Sequence, residues 1–183
     1  MNKKIMIISI FAVLMIAMSG CINNDDTPIN VPGEVEPSVA NLILLKEVPT
    51  GFEYLGAMPT TIDTIKRKYA DIAGIVDVAE GIYKDNDGID VYIIAIECED
   101  EASADDFVYQ YKDSFPELPS GTRFAEESFN GHFATRIKDY TTFNGDQVER
   151  YTYVWNNGKF VFIVEGNTEN YSSTRMIAEA TGQ

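Results

Sequence analysis

Residues 123–165 read RFAEESFNGHFATRIKDYTTFNGDQVERYTYVWNNGKFVFIVE. Four runs in this stretch, Arg123 to Phe129, His132 to Thr141, Gln147 to Asn156 and Phe160 to Glu165, are rich in β-branched and aromatic residues. Asn130-Gly131, Phe143-Asn144-Gly145-Asp146 and Asn156-Asn157-Gly158-Lys159 separate them. Asn-Gly suits the positive-φ positions of a type I′ turn, whose twist matches that of the flanking strands. The segment therefore predicts four consecutive antiparallel strands in a meander.

Working back toward the N-terminus, Ile75 to Lys84 and Ile89 to Cys98 flank Asp85-Asn86-Asp87-Gly88, a second hairpin signal. Its second arm, IDVYIIAIEC, is apolar on both phases, which places it centrally with both faces covered. Between this hairpin and the meander, Ala104, Phe107, Val108, Tyr111 and Phe115 form one helical stripe, with Ser103 and Asp106 at its start and Pro116 and Pro119 at its end. Earlier, Ile62, Ile65, Tyr69 and Ile72 recur at helical spacing, with Thr60 and Asp63 as a capping box and Gly74 as the C-terminal glycine. Leu42 to Val48 reads as a first strand, and Pro49-Thr50-Gly51 as a turn into a short extended piece, Phe52 to Leu55. A last helix is predicted from Tyr171 to Ala180. Strands in runs with helices between them give an α+β fold: a twisted antiparallel sheet with two or three helices packed on it.

The chain begins differently. Lys3 and Lys4 precede an apolar stretch from Ile5 to Met18, broken only by Ser9. A positive start, an apolar core and small exit residues mark a secretory signal, here residues 1–20. Met18-Ser19-Gly20-Cys21 resembles the lipobox of prokaryotic lipoproteins, with Met18 where Leu is usual. The resemblance implies that Cys21 is lipidated and becomes the new N-terminus. The alternative is an uncleaved span from Ile5 to about Ile22, close to the ~17-residue minimum for crossing a bilayer. Either way the lysines stay inside and the rest is translocated.

Residues 21–40 form the expected tether, with Pro28, Pro32, Pro37 and four acids but no apolar periodicity. As a flexible coil it reaches roughly 25 Å. Residues 41–183 are long enough for one domain with a real core. Without Lys3 and Lys4, 12 basic residues face 29 acids, a formal charge of −17. Such a field argues against nucleic acid and anionic headgroups as partners.

Candidate chemistry is sparse. If Cys21 carries lipid, Cys98 has no disulfide partner, and Glu97, Glu99 and Asp100 beside it disfavour a thiolate. It reads as an apolar filler. Placing Gly88 at position 6 of a calcium loop puts Tyr83 at position 1 and Ile94 at position 12, neither of them an acid. His132 is the one histidine, which excludes zinc sites with two histidine ligands. It shares a strand phase with Arg136 and Lys138, toward solvent, and no Gly-x-Ser-x-Gly is present. Acid pairs such as Glu99-Asp100-Glu101 and Glu126-Glu127 read as a solvated face. Asn170-Tyr171-Ser172 is a formal glycosylation sequon, but Asn170 also suits a helix cap, the preferred reading.

The strongest lead is aromatic. Tyr151, Tyr153 and Trp155 share one phase of a strand and Tyr140 lies on the preceding one. Exposed, they are a binding platform for a sugar, a peptide or an aromatic partner; covered, they are core beneath a helix. The expectation is a membrane-anchored extracytoplasmic binding or interaction domain without a cofactor. It would meet the membrane through its N-terminal lipid and a protein or small molecule through the domain. The alternatives are an envelope hydrolase using carboxylates and a structural surface protein.

Overall fold

A computed structural model describes residues 37–183. The signal segment, Cys21 and the tether up to residue 36 lie outside the described residues. Among those described, no helix is long and apolar enough to cross a membrane.

The four meander strands form as their turns dictate: β4 (Phe124–Phe129), β5 (His132–Phe143), β6 (Asp146–Asn157) and β7 (Phe160–Gly166). Asn130 and Gly131 both have positive φ (53° and 82°), as do Asn144 and Gly145 (52° and 94°), the backbone a two-residue hairpin turn needs. Upstream, β2 (Ile75–Asp85) and β3 (Asp90–Cys98) form the second hairpin. The Asp85 side chain accepts the backbone N–H groups of Asp87 and Ile89, both at 2.9 Å. That carboxylate shapes the turn. An outer strand, β1 (Phe52–Met58), pairs with β2 through a bulge between Tyr54 and Gly56.

Among the described residues, seven strands join one sheet in the order β1-β2-β3-β7-β6-β5-β4, every pair antiparallel. The expected α+β class is what the chain adopts. Strand β3 is central between β2 and β7, and its residues from Ile93 to Ile96 are wholly buried, as its doubly apolar pattern requires.

Among the described residues four helices, against the two or three expected, cover both faces. On one face α1 (Val39–Leu42) and α4 (Tyr171–Ala180) pack over Val91, Ile93, Tyr153, Trp155, Phe162 and Val164. On the other, α2 (Ile62–Lys68) and α3 (Glu101–Asp113) supply Ile65, Ala104, Phe107 and Tyr111 against Ile94, Ile96, Val154 and Ile163. Helix α3 carries the chain from the sheet centre to its far edge at β4.

Several local expectations need correction. Leu42 to Val48 is no strand: α1 and irregular chain occupy it, because the short apolar run buries Leu42 and Ile43 against the sheet instead of pairing. Val39, 2% exposed, is core, so the fold starts at the α1 cap Ser38, inside the expected tether. Helix α2 is capped by Thr61, whose hydroxyl accepts the Thr64 N–H, and it ends at Lys68, before Ile72 and Gly74. Helix α3 starts three residues early because Asp100 caps it, accepting the Ser103 N–H at 2.8 Å. Asn170 caps α4, bonding the Ser172 N–H at 3.1 Å.

Candidate functional site

The aromatic stripe of β6 faces α4. Tyr153 and Trp155 are 0% and 1% exposed. Trp155 stacks on Phe162 (centroids 5.2 Å apart, planes at 17°) and meets the edge of Phe129 at 5.4 Å. The Tyr153 hydroxyl donates to Glu127 at 3.0 Å, and Arg136 and Arg175 close on the same carboxylate at 3.1 Å each. Tyr151 lies half-buried beside Tyr171 of α4, with the Arg136 guanidinium 4.2 Å from the Tyr171 ring centre. Its hydroxyl donates to Glu149, and burial followed by that bond pushes its pKa up to about 12. Tyr140 alone of the four is exposed, near the free end of the β5–β6 hairpin. The four do not form an open platform, because α4 covers the side they share.

His132 lies on that same side of β5, the phase of buried Ala134, and is half-buried; the expected solvent face is α4's. Cys98 is a buried free thiol, and burial followed by the charge of Asp100 pushes its pKa up to about 11. A thiol so raised is not set up as a nucleophile.

One open concavity lies on the opposite face. A cleft of about 440 Å³ lies at the end of the α2–α3 layer, within the ~300–1,000 Å³ of ordinary ligand pockets. Its floor is a cross-sheet row: Tyr92 of β3 pairs with Glu165 of β7, which pairs with Thr152 of β6. Side chains directly opposite on neighbouring strands stand about 5 Å apart at Cβ, so the three are neighbours. Tyr111 and Phe115, at the end of α3, form an aromatic wall, their rings edge to face at 5.1 Å. Asp139, Arg150 and Asn167 stand at the mouth. There the Arg150 Nε donates to Asn167 at 3.1 Å and its Nη1 to the Glu149 carbonyl at 2.8 Å.

The C-terminal turn of α2 adds Lys68 and Tyr69. The Lys68 ammonium lies 2.7 Å from Glu165 Oε2 and 4.7 Å from the Tyr69 ring centre. Tyr69 packs edge to face on Tyr111 at 5.2 Å. Its buried hydroxyl comes close enough to Glu165 to feel its charge without the geometry of a hydrogen bond. Burial, then that charge, holds the Tyr69 phenol far above its ordinary pKa. Tyr111 is raised for the same two reasons in the same order. Glu80 of β2 also belongs to this group: burial raises its pKa, Lys68 opposes the rise and Glu165 adds to it.

Among the described residues, no three side chains of metal-ligating type converge. No family model matches the chain, and neither the curated proteins nor the solved structures contain a significant match to it.

Sequence reasoning passed over Glu165, Glu80, Lys68, Tyr69 and Tyr92. One signal was available: Glu165 ends the otherwise apolar run Phe160 to Val164 on the phase of Val161 and Ile163. A carboxylate on a core phase asks for a partner.

Proposed function

We propose that this chain is a lipid-anchored extracytoplasmic binding protein that takes a small polar ligand in the cleft beside the C-terminal end of α3. The observation carrying the reading is the cleft floor. A largely shielded carboxylate, Glu165, stands between Tyr92 and Thr152 below aromatic walls. Apolar and aromatic surface with a few converging polar groups is the usual make-up of a small-molecule site. The lipobox-like Met18-Ser19-Gly20-Cys21 supports the anchored address, and the acidic field supports a partner other than nucleic acid or anionic lipid.

Two experiments test the two halves. Screening small polar compounds by ligand-detected saturation transfer should give hits that disappear in Thr152→Trp, whose indole fills the cleft above the floor. Hits that persist in the filled variant would place binding elsewhere and sink the cleft. For the anchor, Cys21→Ser should leave the precursor unprocessed and unlipidated. An intact mass showing the parent chain still starting at Met1 without lipid would instead favour the spanning helix.

A second reading, the carboxylate hydrolase, is favoured by one specific observation. Burial raises the pKa of Glu80, and Glu165, ion-paired with Lys68 at 2.7 Å, is near enough to add to that rise. A carboxyl group of raised pKa near a second carboxyl is a pairing that acid–base hydrolysis uses. Under that reading Glu80→Gln abolishes turnover of a glycoside or ester panel while leaving binding intact. Under the binding reading no turnover is seen in the parent.

A further inference from the structure

Resting on the cleft reading, the geometry points to an organic ammonium ion as the ligand, seated on Glu165 beside Tyr69 and Tyr92 in the place now filled by Lys68.

The protein already performs this recognition with its own side chain. Lys68 puts an ammonium group on the Glu165 carboxylate and over an aromatic ring, with the distances of a charge-assisted hydrogen bond and a cation–π contact. What surrounds that ammonium is built; what delivers it is loose. The Glu165 side chain is 23% exposed and Tyr69 only 5%, whereas the Lys68 side chain is 50% exposed on the last turn of a seven-residue helix. A lysine so placed can swing to water at little cost, since exposed ion pairs contribute little to stability.

Three further features require a cation once Lys68 leaves. Glu165 and Lys68 both act on Glu80, the carboxylate raising its proton affinity and the ammonium opposing the rise. The Tyr69 hydroxyl is more than nine-tenths buried, has no hydrogen-bond partner and adjoins Glu165, leaving an acceptor for an N–H donor. Tyr92, Tyr111 and Phe115 add aromatic surface next to the acids, the pairing that recognises alkylated ammonium groups. Arg150, the positive group lining the mouth, is engaged by Asn167 and the Glu149 carbonyl, away from the floor. The acidic field of the chain concentrates cations at any such opening.

Lys68 is then an internal competitor, and its removal should strengthen binding. The test is calorimetric titration of the full chain in a non-ionic detergent with ethylammonium and tetramethylammonium chloride, with sodium chloride and sodium acetate as controls. Weak saturable binding of the amines is expected in the parent, tightening about tenfold in Lys68→Met. Lys68→Met/Glu165→Gln should lose that gain. Urea unfolding of each variant confirms that the fold survives. The inference is overturned if Lys68→Met binds amines no tighter than the parent, if Glu165→Gln leaves the gain intact, or if acetate binds in preference. Saturation-transfer hits of neutral or anionic compounds that still vanish in Thr152→Trp would leave the cleft standing while removing the ammonium assignment.

Discussion

Trp155→Ala is expected to lower the free energy of unfolding by about 3–5 kcal/mol, as for other large aromatics cut from a core. The side chain is sealed between β6 and α4, stacked on Phe162 and edge-on to Phe129, so truncation leaves a cavity that three elements cannot easily close. Its indole N–H is buried and has no hydrogen-bond partner, a standing cost of about 1–3 kcal/mol. Trp155→Phe removes that unpartnered donor and keeps a ring in the stack, so it should cost well under half as much as the alanine change. Urea unfolding of both variants measures this. An alanine cost within about 0.5 kcal/mol, the range of ordinary surface changes, would mean that the stripe faces water and would restore the aromatic platform.

Gly166→Ala is expected to destabilise by about 1–3 kcal/mol, against the usual sign for such a change. In an unobstructed strand, alanine gains roughly 0.5–1 kcal/mol over glycine by restricting the unfolded chain. Here the new methyl group would enter the space of the Thr174 side chain on α4, which is itself fully buried. The absence of a Cβ at residue 166 is what lets α4 lie directly on β7. Thr174 contributes a buried hydroxyl without a partner, so Thr174→Ala alone should be nearly neutral. The double variant should recover a large part of the Gly166→Ala loss, a coupling that a double-mutant cycle reads directly. Additive effects would mean that the two positions do not touch.

The same two sites separate what local sequence reveals from what it hides. The phase of Tyr151, Tyr153 and Trp155 was legible, because alternate residues of a strand leave the sheet on one side. Whether that side was covered was not, because α4 reaches it only after β7 has turned back along β6. The misread segment Leu42 to Val48 fails for a related reason. A short apolar run has no period long enough to distinguish a strand from a buried helical turn, and only contact with the sheet settles it.

The cleft was illegible for a stronger reason. Tyr92, Thr152 and Glu165 are scattered along the chain and adjoin only through the β3–β7 and β6–β7 pairings. Lys68 and Tyr69 reach them from a helix that precedes all three strands. No spacing rule connects such positions, whereas the hairpin turns needed only neighbouring residues.

Local signals were enough for the α+β class, the hairpins at Asp85–Gly88, Asn130-Gly131 and Asn144-Gly145, the central place of β3 and the span of α4. Turn chemistry, β-branched runs and helix caps act within a few residues, so a linear reading contains their cause. Only long-range packing set the strand order, the burial of Tyr153 and Trp155, and the meeting of Glu165 with Tyr92, Thr152 and Lys68. These depend on which surfaces are removed from water together, and that free energy belongs to pairs of distant segments rather than to either one.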